Sequence, residues 1–362
     1  VRVAIDEQIF AIQRYGGISR MFAELARQFV VNGVGDVDLL PFDAPVVNRY
    51  LLDHPEVGGP LGARQARSEW TALARYLTRP GTHPDCDIVH NTFYLPHGLA
   101  PVRGAKRVVT VHDMIPERLP QTRRRLDWLT LKQRYVRHAD HIVCVSEATR
   151  RDLVDIYGAD LPPITIVHHG VDERFHPGVP RLDFLPERYV LFVGNRDQYK
   201  DARVLFEAFA ALAARHPDLH LLCVGGAGLT PAEVAWLKER GIRERVSQRY
   251  LSDADMASAY AHAEVFVFPS RFEGFGLPAL EAMASGTPVI LADATSLPEV
   301  GGDAALYFDP GDVEQLCEQI DRVLTDEALS GRLVACGLER AGSFTWGRAA
   351  ERTAEVYRTA LQ

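Results

Sequence analysis

Short, almost wholly apolar runs recur along this chain, each followed by a segment of helical periodicity. Residues 1–5, 88–90, 107–111, 141–145 and 164–167 form such runs in the first half, and 190–193, 219–224, 265–268 and 288–291 in the second. A strand that is apolar on both faces must be covered on both faces. Strands separated by helices pair in parallel through crossovers. The pattern therefore predicts an α/β architecture. At 362 residues the chain exceeds the ~250–300 at which a single core stops growing. Two doubly wound, Rossmann-like domains facing each other across a cleft are expected. The aperiodic, proline-bearing segment 171–185 reads as the linker. It divides an N-terminal domain, 1–170, from a C-terminal one, 171–346.

Composition narrows the class of protein. With 47% hydrophobic and 24% charged residues, the chain reads as a soluble globular protein. No apolar run reaches the ~18 residues of a membrane span. The start, Val1-Arg2-Val3-Ala4-Ile5-Asp6, reads as a buried strand rather than a signal peptide. The five cysteines have neither metal-knuckle nor redox-pair spacing, and Cys144 and Cys223 fall inside strand runs as core thiols of a reducing compartment. A cytoplasmic location is expected. The net charge of −8 argues against a nucleic-acid partner. Residues 1–180 hold 22 basic and 21 acidic side chains, whereas 181–362 hold 18 and 27, as fits two domains with different partners.

Open parallel sheets bind ligands beyond the carboxyl ends of their strands, and the informative residues lie there. After the run 265–268 comes Glu273-Gly274-Phe275-Gly276-Leu277-Pro278, then Glu281. Two glycines permit a tight turn, Pro278 suits a first helical turn, and Gly286 suits a C-terminal cap. A helix N-terminus so placed favours phosphate. Glu273 and Glu281 bracket it with carboxylates able to accept bonds from vicinal hydroxyls. After 190–193, Arg196 and Lys200 enter a strand–helix loop and could neutralise a diphosphate. After the first strand, Gly16 and Gly17 allow close backbone approach to a phosphate. His112-Asp113 ends the run 107–111, with Asp113 able to orient the ring or bind the loop backbone. His90-Asn91-Thr92 ends the run 88–90. Asp253-Ala254-Asp255 has the look of an acidic metal motif, but Ser252 or Asp253 is a natural N-cap for the helix that follows.

The paired glutamates with seven residues between them resemble the motif of the retaining glycosyltransferases of family 4, group 1, which have the GT-B fold. The resemblance implies that Glu273 meets donor-sugar hydroxyls. It assigns the backbone of Gly274, Phe275, Gly276 and Leu277 to sugar and pyrophosphate, and Glu281 to the ribose. It assigns Arg196 and Lys200 to the diphosphate, Gly16 and Gly17 to a loop over that diphosphate, His112 to the reaction centre, and the backbone at Leu251 to the base. Asp201 replaces the family's usual Asn, a change expected to leave helix capping intact. His169 replaces the Asn of the family's hinge string, and the terminal helix, 347–362, is expected to rejoin the first domain. His90-Asn91-Thr92 resembles an acceptor-side loop.

The function so implied is metal-independent, retaining transfer of a hexose from a GDP-, UDP- or dTDP-sugar, without a cofactor. The acceptor would be a glycan, a lipid-linked glycan or another hydroxyl. Mannose or rhamnose is the donor sugar that relatives suggest, in cell-surface polysaccharide or lipopolysaccharide synthesis. A sugar-nucleotide epimerase of the same architecture and a non-catalytic sugar- or nucleotide-binding protein are the alternatives. The segment 118–137 carries seven basic residues against Asp127. It is either a solvated helix face or a contact for anionic membrane.

Overall fold

The computed structural model describes residues 1–78, 85–100, 104–120, 129–196 and 198–362. Among these, twelve strands build two six-stranded parallel sheets. The first contains β1 (Arg2–Ile5), β2 (Asp38–Leu39), β3 (Ile88–Asn91), β4 (Lys106–Val111), β5 (His141–Cys144) and β6 (Ile164–Ile166), in the order β2-β1-β3-β4-β5-β6. The second contains β7 (Arg188–Val193), β8 (Leu219–Val224), β9 (Val246–Arg249), β10 (Val265–Phe268), β11 (Val289–Ala292) and β12 (Ala305–Phe308), in the order β12-β11-β10-β7-β8-β9. Three strands were not expected from the sequence: β2, β9 and β12. All three are edge strands. Val246-Ser247-Gln248-Arg249 has a single apolar residue and β2 has only two residues, so neither presents an apolar run, whereas β12, Ala305-Leu306-Tyr307-Phe308, is such a run that the sequence reading missed.

The chain divides into two compact units, Val1–Gly170 with Trp346–Gln362, and Val171–Thr345. In the first, Phe22, Leu25, Ala26 and Phe29 on the helix Gly17–Val30 pack with Val3 and Ile5 of β1. Ala350, Ala354 and Tyr357 of the terminal helix, Trp346–Ala360, complete that core. The Tyr357 hydroxyl lies 2.7 Å from His90 Nδ1, and Thr110 Oγ1 lies 2.7 Å from His90 Nε2. His90 is therefore a fully buried tie between strand and terminal helix. In the second unit the central strands β7, β10 and β11 are buried almost throughout. Burial leaves Cys144 and Cys223 as thiols, each with its pKa pushed up to about 12. No helix among the described residues is long and apolar enough to cross a membrane.

Strand order fixes where each sheet opens. From β7 the chain winds outward through β8 and β9, then returns to β10 on the other side of β7. The loops after β7 and β10 therefore leave adjacent strands in opposite directions and open a crevice at the switch point.

Candidate active site

The crevice of the second unit is lined from both sides. The loop after β10 supplies Glu273 and the turn leading to the helix Leu277–Ala284; the loop after β7 supplies Lys200. Gly276 is the N-cap of that helix at φ +113°, a conformation that favours glycine. A β-carbon there would also meet Leu297 Cδ2 at 2.9 Å. Pro278 occupies the first turn, and Gly286, at φ +76°, follows the last one.

Lys200 Nζ lies 2.5 Å from Glu273 Oε1, with the two side chains 15% and 11% exposed. The ammonium also stands 4.9 Å from the centre of the Phe268 ring and 5.5 Å from that of Tyr199. An opposite charge and two ring faces thus replace much of the water a lysine would otherwise hold. Glu281 is buried, and its Oε2 accepts a 3.0 Å bond from the Tyr260 hydroxyl. Each of the paired glutamates is therefore held by a different partner.

Arg196 is engaged on its own side of the crevice. Its Nε donates to Glu233 at 2.8 Å, and its Nη2 to the carbonyls of Ala227 and Gly228 at 2.6 and 2.8 Å. Nη1 is buried without a hydrogen bond. Arg196 is thus tied to the loop after β8 rather than standing beside Lys200 as a free cation. Glu233 also closes a capping box with Thr230. Asp201 corrects an expectation. It stands at the helix N-cap at φ +48° without a side-chain capping bond, and its carboxylate takes Arg271 Nε at 2.6 Å instead. The left-handed backbone explains why Asn or Asp suits this position.

The sequence reading missed the residues that hold the turn around Glu273 and Phe275. Thr295, after β11, accepts the Glu273 N–H at 2.9 Å. Ser296, fully buried, shares its hydroxyl between the carbonyls of Glu273 and Phe275, at 3.0 and 2.8 Å. Thr295 sits at φ +49°, an outlying conformation for a β-branched residue. Such strain persists only where its surroundings enforce it. Nothing local in the string Ala294-Thr295-Ser296 announces this role, because its partners lie about twenty residues earlier.

In the first unit, Gly16 is the N-cap of the helix Gly17–Val30, and a β-carbon on it would fall on the Gln13 side chain. Gln13 Oε1 accepts the Ser19 N–H at 3.0 Å and so caps that helix start. His112, at the end of β4, is buried with neither ring nitrogen hydrogen-bonded, its ring edge-on to Phe22 at 5.7 Å. Burial lowers its pKa to about 4. Asp113 does not orient that ring: its carboxylate accepts the Ile115 N–H at 3.1 Å. His169 is buried with its ring 5.9 Å from that of Trp346, and burial lowers its pKa to about 3.

His90-Asn91-Thr92 is not an open loop. Besides the ties of His90, Asn91 Nδ2 donates to Asp6 Oδ2 at 2.5 Å, and Thr92 donates its N–H and its hydroxyl to Asp6 Oδ1 at 2.9 and 2.6 Å. These residues stitch β3 to the end of β1, so their polarity is spent on the fold.

Leu251 immediately precedes Ser252, whose hydroxyl accepts the Asp255 N–H and donates to the Asp255 carboxylate at 2.8 Å. Asp253 and Asp255 therefore open a capped helix. Among the described residues no three His, Cys, Asp or Glu side chains gather as metal ligands. The basic segment 118–137 falls partly outside the described residues, at 121–128. Within the described part, Arg118 pairs with Asp152 and Asp155 at 2.7 and 2.6 Å, and Lys132 is buried against Glu117 at 2.9 Å. Two of its seven cations are thus already neutralised.

Known proteins resemble this chain in sequence and fold. Residues 15–175 match the family model described as Glycosyltransferase Family 4, and 181–339 that described as Glycosyl transferases group 1. The chain is 33% identical over 282 residues to O-antigen chain mannosyltransferase B of Escherichia coli, covering 74% of this chain and 72% of that protein. It is 31% identical over 300 residues to MMP alpha-(1->4)-mannosyltransferase of Mycolicibacterium hassiacum, covering 78% and 72%. Among solved structures, sucrose-phosphate synthase from Thermosynechococcus elongatus aligns over 99% of this chain and 98% of its own with a TM-score of 0.74 at 22% identity. HepE from Anabaena, solved with UDP, aligns over 99% of both at 0.69 and 18%. The chain belongs to the family 4, group 1 glycosyltransferases, and its fold is GT-B.

Proposed function

We propose that the protein transfers a hexose from a nucleotide-diphosphate sugar with retention of anomeric configuration and without a metal ion. The observation that carries this reading is the Lys200–Glu273 pair at the switch point, beside the N-terminus of the helix Leu277–Ala284. Glycosidic cleavage leaves negative charge on the β-phosphate. Lys200 and the helix start would stabilise it where it develops, the interaction that lowers a barrier most effectively. Glu273, freed from Lys200, would accept donor-sugar hydroxyls, and Glu281 the ribose. Arg196 joins the diphosphate in this reading only by leaving Glu233. His112 would keep the role at the reaction centre that the family resemblance gives it, as a ring that burial holds neutral at pH 7. The leaving phosphate itself would take the acceptor proton, so no protein nucleophile is needed.

The donor sugar we favour is mannose, because two relatives are named mannosyltransferases. The O-antigen relative supports an acceptor on a growing surface polysaccharide. Structural neighbours solved with UDP support a nucleotide donor. Membrane contact through 118–137 would rest on Arg123, Arg124 and Arg125, outside the described residues, and sedimentation with anionic vesicles tests it. The experiment for the reaction is incubation with GDP-mannose and a panel of UDP- and dTDP-sugars, with and without EDTA, reading nucleotide release and the anomeric proton of the product. Retained configuration and EDTA-resistant turnover are expected. Inversion, or manganese-dependent activity, contradicts the proposal.

A further inference from the structure

The geometry points to an acceptor-glycan subsite on the first unit, built around Trp70 and Arg75. Trp70, on the helix Glu69–Thr78, is 81% exposed. An indole left so far in water forgoes one of the largest hydrophobic gains available to a side chain. It lines an open surface hollow along its helix with Thr71, Ala74, Arg75 and Thr78. Arg75 and Thr78 also line an adjoining cavity of about 510 Å³, whose further walls include Asp43, Arg64 and Gln65. Neither Trp70 nor Arg75 has a hydrogen-bond or ion-pair partner among the described residues.

The lining chooses the ligand. A pyranose carries C–H groups on its faces and hydroxyls around its rim. The exposed indole stands beside Arg75, Thr71 and Thr78, and the adjoining hollow adds Asp43, Arg64 and Gln65, so the two together meet both halves of that chemistry. A lipid surface would call for several apolar anchors and unopposed cations, whereas a protein partner would call for a wider apolar patch. Position supports the same reading. Glu69, next to Trp70, pairs with Arg14 at 3.2 Å. The neighbour of Arg14, Tyr15, is 60% exposed, stands edge-on to Tyr50 at 5.6 Å, and immediately precedes Gly16-Gly17. The platform is thereby tied to the loop assigned to the donor diphosphate. This inference rests on the glycosyl-transfer reading, which requires a hydroxyl acceptor, and extends it to an acceptor held through more than one sugar unit.

Calorimetric titration of the full chain with mannose, rhamnose and glucose, and with the α-linked trisaccharide of each, tests it. UDP and GDP are titrated in parallel. At least one trisaccharide should bind, with its monosaccharide about tenfold weaker or worse. Trp70→Ala and Arg75→Ala should each weaken the trisaccharide by about tenfold, while nucleotide affinity and Tm stay at wild-type values because both side chains are exposed. Undiminished trisaccharide binding in both variants overturns the subsite. So does the absence of any trisaccharide binding, or Trp70-dependent sedimentation with phosphatidylglycerol vesicles in its place. Failure of both nucleotides to bind contradicts the donor reading alone and leaves the saccharide arm to decide this one.

Discussion

Lys200 and Glu273 come from loops that leave adjacent strands in opposite directions, and their charged atoms meet at 2.5 Å. Each is the other's counter-ion in a place where water is scarce. A diphosphate sugar brings both a substitute anion for Lys200 and hydroxyl donors for Glu273, so it can separate the pair without leaving either charge unsatisfied.

The first prediction follows from that exchange. Lys200→Ala strands a largely buried carboxylate and should lower stability by about 1–3 kcal/mol, less than the ~3–5 for breaking a fully buried pair. Lys200→Ala/Glu273→Gln should regain most of that stability without regaining activity, which should be down more than about tenfold in either background. Denaturant unfolding and initial rates on the same samples check it. Additive losses of stability would mean that the two residues do not depend on each other.

A second prediction concerns the hold on the donor turn. Thr295→Gly removes the hydroxyl that takes the Glu273 N–H but relieves a left-handed β-branched residue. Tm should be unchanged or higher, while kcat/KM for the donor falls about tenfold. Thr295→Ser restores the hydroxyl and should recover most of the activity. A residue important only for folding would move Tm and kcat/KM downward together.

The third prediction is a pH dependence. Burial lowers His112 from the usual 6.5 to about 4, and His90 and His169 to about 3. As pH falls below 6.5 the unfolded chain protonates these rings before the folded chain does. Stability should therefore be full above pH 6.5 and decline steadily toward pH 4. His112→Gln removes one of these groups, and the pH slope of unfolding free energy in that window should flatten by up to one proton. An unchanged slope would mean that His112 is not held neutral by burial.

Much of this site was legible as short motifs, because a strand end, a glycine turn and a helix start are adjacent in sequence. The string from Glu273 to Glu281 and its helix caps needed no tertiary information. The buried central strands were equally plain from their apolar runs, whereas the edge strands β2 and β9 lack that signature. What could not be read was where each polar side chain spends its hydrogen bonds. His90, Asn91 and Thr92 look like ligand residues but tie β3 to Asp6 and the terminal helix. Arg196 reads as a free cation but is held by Glu233. Thr295 and Ser296 carry no motif, yet they fix the backbone around Glu273. Each of these facts depends on a partner far away in sequence.

The account stands or falls on the division of labour between the two glutamates, and calorimetric titration with UDP, GDP and dTDP measures it directly. At least one nucleoside diphosphate should bind the wild type. Glu281→Gln should weaken it by about tenfold or more, since a charged acceptor for the ribose is lost. Glu273→Gln should bind it as tightly as the wild type or more tightly, because Lys200 no longer has to leave a carboxylate to reach the phosphate. Equal weakening in both variants, or no binding of any nucleotide by the wild type, would contradict the account.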